Sequence, residues 1–242
     1  MRDNIPAIQL SDIDFRWGSA RSDFRIQVKN FRLEKNESAI LVGPSGGGKS
    51  TLLSLICGTV RPQNGITKIL GNNLENMSNS TRDNFRADNI GIIFQQFNLL
   101  PYLSALDNVL LPLEFSLKRK QTSGKTKQKI KSEAKRLLRN LSITPETIGR
   151  QKAATLSIGQ QQRVAAARAF IGSPKLIIAD EPTSSLDENS QEEFLEQLFY
   201  EKNATGASLL MVSHNPRITK RFDRLVKLEN ICTILPKQEL VI

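Results

Sequence analysis

The chain has 242 residues, 39% of them hydrophobic, and a formal net charge of +10. That length supports one large domain or two small ones with a sizeable core. It excludes a conventional membrane helix, because no run approaches the ~18 consecutive apolar residues such a helix needs. The most apolar stretch, Leu99 to Phe115, is interrupted by Pro101, Asp107, Asn108, Pro112 and Glu114, and the opening Met1 to Pro6 carries charge but no apolar signal core. A cytoplasmic protein is expected, one that meets a membrane only through a partner or through its surface. Cys57 and Cys232 lie far apart in apolar surroundings, which predicts core filling rather than a metal site or a disulfide.

Taken in order, Ile8 to Phe15 alternates apolar and polar residues as an edge strand does, and Phe24, Ile26, Val28 and Phe31 continue an antiparallel pattern. Ser38 to Val42 reads as a short buried strand. It runs into Gly43-Pro-Ser-Gly-Gly-Gly-Lys-Ser50, which fits G-x-x-x-x-G-K-[ST] at every fixed position, and then into a helix from Lys49 to Ile56. The glycines of Gly43, Pro44, Ser45, Gly46, Gly47 and Gly48 let successive backbone N–H groups turn inward onto phosphate oxygens. Lys49 reaches the outer phosphates, the Ser50 hydroxyl suits Mg²⁺, and Thr51 completes the phosphate-binding set at the helix N-terminus.

Further along, Ile66 to Leu70 is a strand closed by Gly71, and Ile90 to Phe94 is a short buried strand. Ser104 to Asp107 has the spacing of a helix N-terminal box. A basic segment continues as a helix through Leu137, Leu138 and Leu141. Thr144-Pro-Glu146 opens another short helix ending at Gly149, and Gln160 to Ile171 is helical until Gly172. Leu176 to Ala179 and Ser208 to Val212 are unbroken apolar runs, as in strands of a parallel sheet covered on both faces. Strands alternating with helices predict an α/β fold. Residues 96–160 carry helix signals only, which predicts a helical subdomain inserted into a core made of 1–95 and 161–242.

Two features remain. The strand Lys175-Leu-Ile-Ile-Ala-Asp180-Glu181 ends in paired acids, one of which can hold Mg²⁺ through its waters while the other orients or deprotonates a water. Residues 118–139 hold ten of the 34 Lys/Arg and only one of the 24 Asp/Glu, so nine of the ten net positive charges sit in one segment. A solvated helix face, attraction to anionic lipid headgroups and nucleic-acid binding are all open for it, although no aromatic residue is interleaved for base stacking.

With both halves of a nucleotide site present, the chain resembles the ATP-binding-cassette (ABC) ATPases over essentially its whole length. Leu156-Ser157-Ile158-Gly159-Gln160 and the helix after it are similar to the family signature Leu-Ser-Gly-Gly-Gln, with Ile158 in place of the first glycine. Phe94-Gln95 matches the loop whose glutamine senses Mg²⁺ and the γ-phosphate; Gln96 is the alternative. Ser184 to Asp187 resembles the loop that crosses the dimer interface. His214, the one histidine, falls at the switch position, and Trp17, the one tryptophan, at the aromatic that stacks on adenine.

The resemblance implies a P-loop ATPase with a mainly parallel core sheet, an N-terminal antiparallel β part and the inserted helical subdomain. It implies ATP and Mg²⁺, with Glu181 as general base, His214 positioning the γ-phosphate, and Ser50, Gln95 and Asp180 at the metal. It also implies a head-to-tail pair in which Ser157, Gly159, Gln160 and Asp187 serve the nucleotide of the opposite copy, and separate permease subunits in the membrane. Phe94 to Leu113 is most similar to the macrolide-exporter and lipoprotein-releasing branch. Polar amino-acid importers share Phe-Gln-Gln-Phe-Asn-Leu, and a soluble cassette acting on nucleic acid or a regulatory cassette without turnover are the remaining alternatives.

Overall fold

The computed structural model describes residues 5–18 and 24–235. In chain order come β1 (Ile8–Arg16), β2 (Arg25–Leu33), β3 (Ser38–Val42), α1 (Lys49–Ile56), β4 (Asn64–Ile69), β5 (Asn72–Asn73), α2 (Asn79–Asn89) and β6 (Ile90–Ile93). Then follow α3 (Ala105–Leu110), a 3₁₀ turn (Leu111–Glu114), α4 (Leu117–Ser123), α5 (Lys127–Asn140), α6 (Ile158–Phe170), β7 (Leu176–Asp180), α7 (Glu188–Thr205), β8 (Ser208–Val212), β9 (Arg224–Lys227), α8 (Leu228–Ile231) and β10 (Cys232–Leu235).

Two five-stranded sheets form. One is antiparallel, in the order β10-β2-β1-β4-β5, and the other is parallel, in the order β6-β7-β8-β3-β9. The alternation in β1 therefore does not mark an edge strand. β1 is the middle strand, pairing β2 with Ile8 opposite Leu33 and β4 with Ile8 opposite Ile69. Its apolar side still has one job, because Ile8, Leu10, Ile13 and Phe15 all bury into a single cluster.

The unbroken apolar strands divide residue by residue between two cores. Ala39, Leu41, Leu176, Ile178, Leu210 and Val212 join the cluster shared with the antiparallel sheet and α1. Ile40, Ile177, Ala179, Leu209 and Met211 join a second cluster with Ala105 and Val109 of α3, Leu137 and Leu138 of α5, Val164 and Phe170 of α6, and Phe194 of α7. Successive strand residues point to opposite faces, so a sheet covered on both sides has no polar face to alternate with.

Thr144-Pro-Glu146 does not open a helix. Ile148 and Gly149 donate back to the carbonyls of Thr144 and Pro145, at 2.9 and 3.2 Å, and the chain then turns. The carbonyls of Gly149 and Gln151 accept from the N–H groups of Leu106 and Ala105, satisfying the start of α3. α6 begins two residues before the expected Gln160. Ser157 is its N-cap, accepting from Gln160 N–H at 3.3 Å while the Gln160 side chain accepts from Ser157 N–H at 3.0 Å.

The basic segment is only partly a solvated face. Arg119 turns inward, with Nε donating to the Ile171 carbonyl and Nη2 to the Ala169 carbonyl, both at 2.8 Å. Arg136 bridges Glu133 at 2.8 Å and the fully buried Glu201 of α7 at 3.0 Å. Lys118 donates to Asn89 at 2.8 Å, Lys120 pairs with Glu114 at 3.3 Å, and Arg139 with Glu146 at 2.6 Å.

Candidate nucleotide site

The loops leaving the carboxyl ends of β3, β6, β7 and β8 meet in one cleft of about 400 Å³, the edge of a parallel sheet where α/β folds place their ligands. From the loop after β3, Ser45, Gly46, Gly48, Lys49, Ser50 and Thr51 line it. Gln95 comes from the end of β6, Asp180 and Glu181 from β7, and His214 from just past β8; Trp17 and Phe24 close one side.

The phosphate loop explains its own sequence. Gly48 has φ +88° as the N-cap of α1, and a Cβ there would come within 2.9 Å of the Phe24 ring. Gly43, Pro44 and Gly47 stand behind the cleft wall. The Gly43 and Pro44 carbonyls accept from Lys49 Nζ at 2.9 and 2.8 Å, and Gly47 N–H donates to Pro44 at 3.1 Å. Burial pushes the Lys49 ammonium below its ordinary range, with Glu181 and Asp180 opposing.

The acids sit opposite that loop. Ser50 Oγ donates to Asp180 Oδ2 at 3.4 Å. Burial, then the charge of Glu181, raises the Asp180 carboxyl above the usual carboxylate range, while Ser50, Lys49 and His214 oppose. Glu181 has φ +45°, a left-handed backbone that a non-glycine residue adopts at a cost of about 1 kcal/mol. Its amide donates to the Val212 carbonyl at 3.0 Å. The carboxylate is held from two sides: Gln95 Nε2 donates to Oε2 at 3.4 Å, and His214 Nε2 meets Oε1. Of the two glutamines open in the sequence, Gln95 reaches this centre and Gln96 does not line the cleft.

Trp17 is 42% exposed and is fixed at both ends. Its Nε1 donates to Thr51 Oγ1 at 2.9 Å, and its ring packs edge-on against Phe15 with centroids 5.2 Å apart.

Ser157, Gly159, Gln160 and Asp187 are not brought into this cleft. Within the chain Ser157 and Gln160 form the N-terminal box of α6. Asp187 is the N-cap of α7, accepting from Ser190 N–H at 2.9 Å and Ser190 Oγ at 2.7 Å. Ile158 is 56% exposed and points away from the core.

Sequence reasoning missed four residues that bear on the site: Phe24, and the trio Thr183, Gln191 and Asn215. Phe24 lines the cleft, and only its alternation with Ile26 and Val28, one residue before β2 begins, hinted at burial. Thr183 and Gln191 form a brace behind the acids. Gln191 Nε2 donates to Thr183 Oγ1 at 2.7 Å, and its Oε1 accepts from Asn215 Nδ2 at 2.9 Å. Thr183 lies two residues beyond Glu181 and Asn215 one beyond His214. No spacing in the sequence joins the three.

Comparison with known proteins agrees with this geometry. Residues 26–184 match the family described as ABC transporter. An uncharacterized ABC transporter ATP-binding protein of Mycobacterium tuberculosis is 37% identical over 93% of this chain and 87% of its own length. The lipoprotein-releasing system ATP-binding protein LolD of Hyphomonas neptunium is 34% identical over 93% of this chain and 95% of its own. Among solved structures, the dimeric ATP-binding cassette MJ0796 in a post-hydrolysis state with ADP and Pi matches with a TM-score of 0.79 and 31% identity, covering 91% of this chain and 93% of that one. A phosphate loop, a paired-acid strand end and a glutamine and histidine converging on one carboxylate, on a chain so matched, lead to one conclusion: this protein belongs to the ABC transporter family, as an ATP-hydrolysing, nucleotide-binding subunit.

Proposed function

We propose that ATP lies in the cleft with its adenine against Trp17 and its phosphates on the loop of residues 43–51, and that Glu181 is the general base of hydrolysis. The observation that carries this reading is the clasp on Glu181, whose two oxygens are held by Gln95 and His214 opposite Lys49. Fixing both oxygens aims the carboxylate at one place, which is what a base that must take a proton from an attacking water needs. His214 then positions the γ-phosphate, while Lys49 and the loop amides stabilise the charge that builds on the phosphate oxygens.

The residues fit a Mg²⁺ ion. Ser50 and the raised carboxyl of Asp180 are neighbouring hard oxygen donors beside a second acid, and such a cation relieves their mutual repulsion. Ser50, Asp180 and Gln95 would hold it, and when bound it neutralises phosphate charge.

A second copy completes the site in this reading. Ser157, Gly159, Gln160 and Asp187 lie outside their own cleft, so their nucleotide contacts come from a head-to-tail partner. The chain divides into a nucleotide core, 1–95 and 161–242, and a helical subdomain, 96–160. A groove of about 470 Å³ beside the Gln95 loop, with Phe94, Pro112 and Phe115 among its walls, offers the apolar surface for a permease. Among the described residues no helix is long and apolar enough to cross a membrane. In this reading the chain is a peripheral subunit on the cytoplasmic face of separate permease subunits, as its likeness to ATP-binding subunits of transporters supports. The likeness to LolD, and to the macrolide export protein MacB of the same organism (33% identical, with this chain spanning 34% of MacB's length), favours the export or lipoprotein-release branch.

Glu181→Gln is the test. Sedimentation of this variant is expected to give a dimer with ATP and a monomer with ADP, while steady-state hydrolysis falls by about 10²–10⁴-fold. Hydrolysis near the wild-type rate would remove Glu181 from the role of base.

A further inference from the structure

We propose that the outer face of α5, with the turn that precedes it, docks on a lipid surface bearing anionic headgroups. This goes beyond the nucleotide chemistry and uses none of its residues.

The structure sorts the cations of residues 118–139 into two groups. Lys118, Arg119, Lys120, Arg136 and Arg139 are engaged within the fold, as described above. Lys125, Lys127, Lys129 and Lys131 are exposed, and among the described residues their side chains carry no ion pair or hydrogen bond. Lys135 extends the row, since Lys127, Lys131, Lys135 and Arg139 recur every fourth residue and line one shallow surface cavity of α5. The opposite face, with Ala134, Leu137 and Leu138, is buried in the core, so the helix cannot roll to hide the lysines. The nearby carboxylates are engaged by arginines and not by these lysines. Glu133 and Glu201 face Arg136, and Glu146 faces Arg139 with Lys135 adding to its field. A surface whose acids are spoken for and whose lysines are not carries a positive field outward.

The same surface favours a lipid surface over nucleic acid. Every unpaired cation is a lysine, a hydrated point charge suited to a diffuse layer of headgroups; of the planar arginine forks that grip single phosphodiesters, Arg119 is buried and Arg136 and Arg139 are held by carboxylates. No aromatic side chain occurs between residues 116 and 140 to stack on a base.

Flotation of the purified full chain with vesicles tests this. Phosphatidylcholine vesicles with phosphatidylserine are expected to carry at least about tenfold more protein than phosphatidylcholine alone, and raising the salt towards 1 M, where the Debye length is ~3 Å, abolishes the difference. A variant with Lys125→Gln, Lys127→Gln, Lys129→Gln and Lys131→Gln changes only exposed side chains. It is expected to hydrolyse ATP at the wild-type rate and to lose flotation. Equal flotation of variant and wild type, no preference for the anionic vesicles, or tighter binding to RNA or duplex DNA than to the vesicles at the same salt would each overturn the proposal.

Discussion

Gln191 uses both ends of its amide to tie together the two loops that carry Glu181 and His214, and it is only 7% exposed. It touches no reacting atom, so it is a positioning residue. Gln191→Ala frees Thr183 and Asn215 and lets the acid and the histidine drift, while the phosphate loop on the other side of the cleft keeps its contacts. The expected outcome in steady-state kinetics is about a tenfold fall in kcat with KM for ATP unchanged. A rise in KM at constant kcat would assign the brace to binding instead.

Asp180 shows the opposing claims on one side chain. Its folded carboxyl is raised by burial and by Glu181, so folding favours its protonated form. The sign follows: this group's contribution to the stability of the nucleotide-free protein is fullest at low pH and is lost as pH rises through the folded value. Asp187 and Asp223 run the other way, held below the usual carboxylate range by hydrogen bonds from Ser190 and Ser38. Comparing wild type with Asp180→Asn isolates the one term. The variant is expected to melt several degrees higher at neutral pH, with the gain shrinking in acid, and to lose Mg²⁺-dependent hydrolysis. Scanning calorimetry against pH reads the first and phosphate release the second.

At the scale of elements, Arg119 joins α4 to the end of α6. Burial pushes its guanidinium down to about 10, with Asp88 opposing, yet it stays charged at neutral pH and satisfies carbonyls that the last turn of α6 leaves open. Arg119→Leu should cost about 2–4 kcal/mol, measured by urea denaturation, because those carbonyls stay buried without a donor. The elements that sequence alone located were those with local causes: the glycines of the phosphate loop, the apolar run of β3, and the serine before α3. What it misjudged depended on distant partners. β1 has the period of a strand with one covered face, and a middle strand of an antiparallel sheet has that period too, so only its pairing with β4 distinguishes the two. Thr144-Pro-Glu146 carries a helix-start signal, but the carbonyls that would extend a helix serve α3 instead. The N-cap of α6 was present as Ser157-x-x-Gln160 and went unread because the same letters carry the family signature.

Across the whole molecule, the cluster that joins α3, α5, α6 and α7 to the parallel sheet is continuous, so the helical segment has no core of its own. The motifs were legible because each is a short run with a fixed chemical purpose. Their convergence was not, since the order β6-β7-β8-β3 that brings Gln95, Glu181, His214 and Lys49 to one sheet edge is a property of chain crossing. Charge followed the same pattern: composition located the basic segment, and only packing separated its engaged arginines from its free lysines.

The two ends of α6 lead furthest. Its first turn is locked by Ser157 and Gln160, and Arg168 in its last turn donates to the carbonyls of Phe97 and Asn98, just past Gln95. A 13-residue helix is roughly 20 Å long. With its first turn at the surface and its last turn pinned, a tilt of roughly ten degrees about the pinned end would carry the exposed tip through roughly 3 Å, about the length of one hydrogen bond.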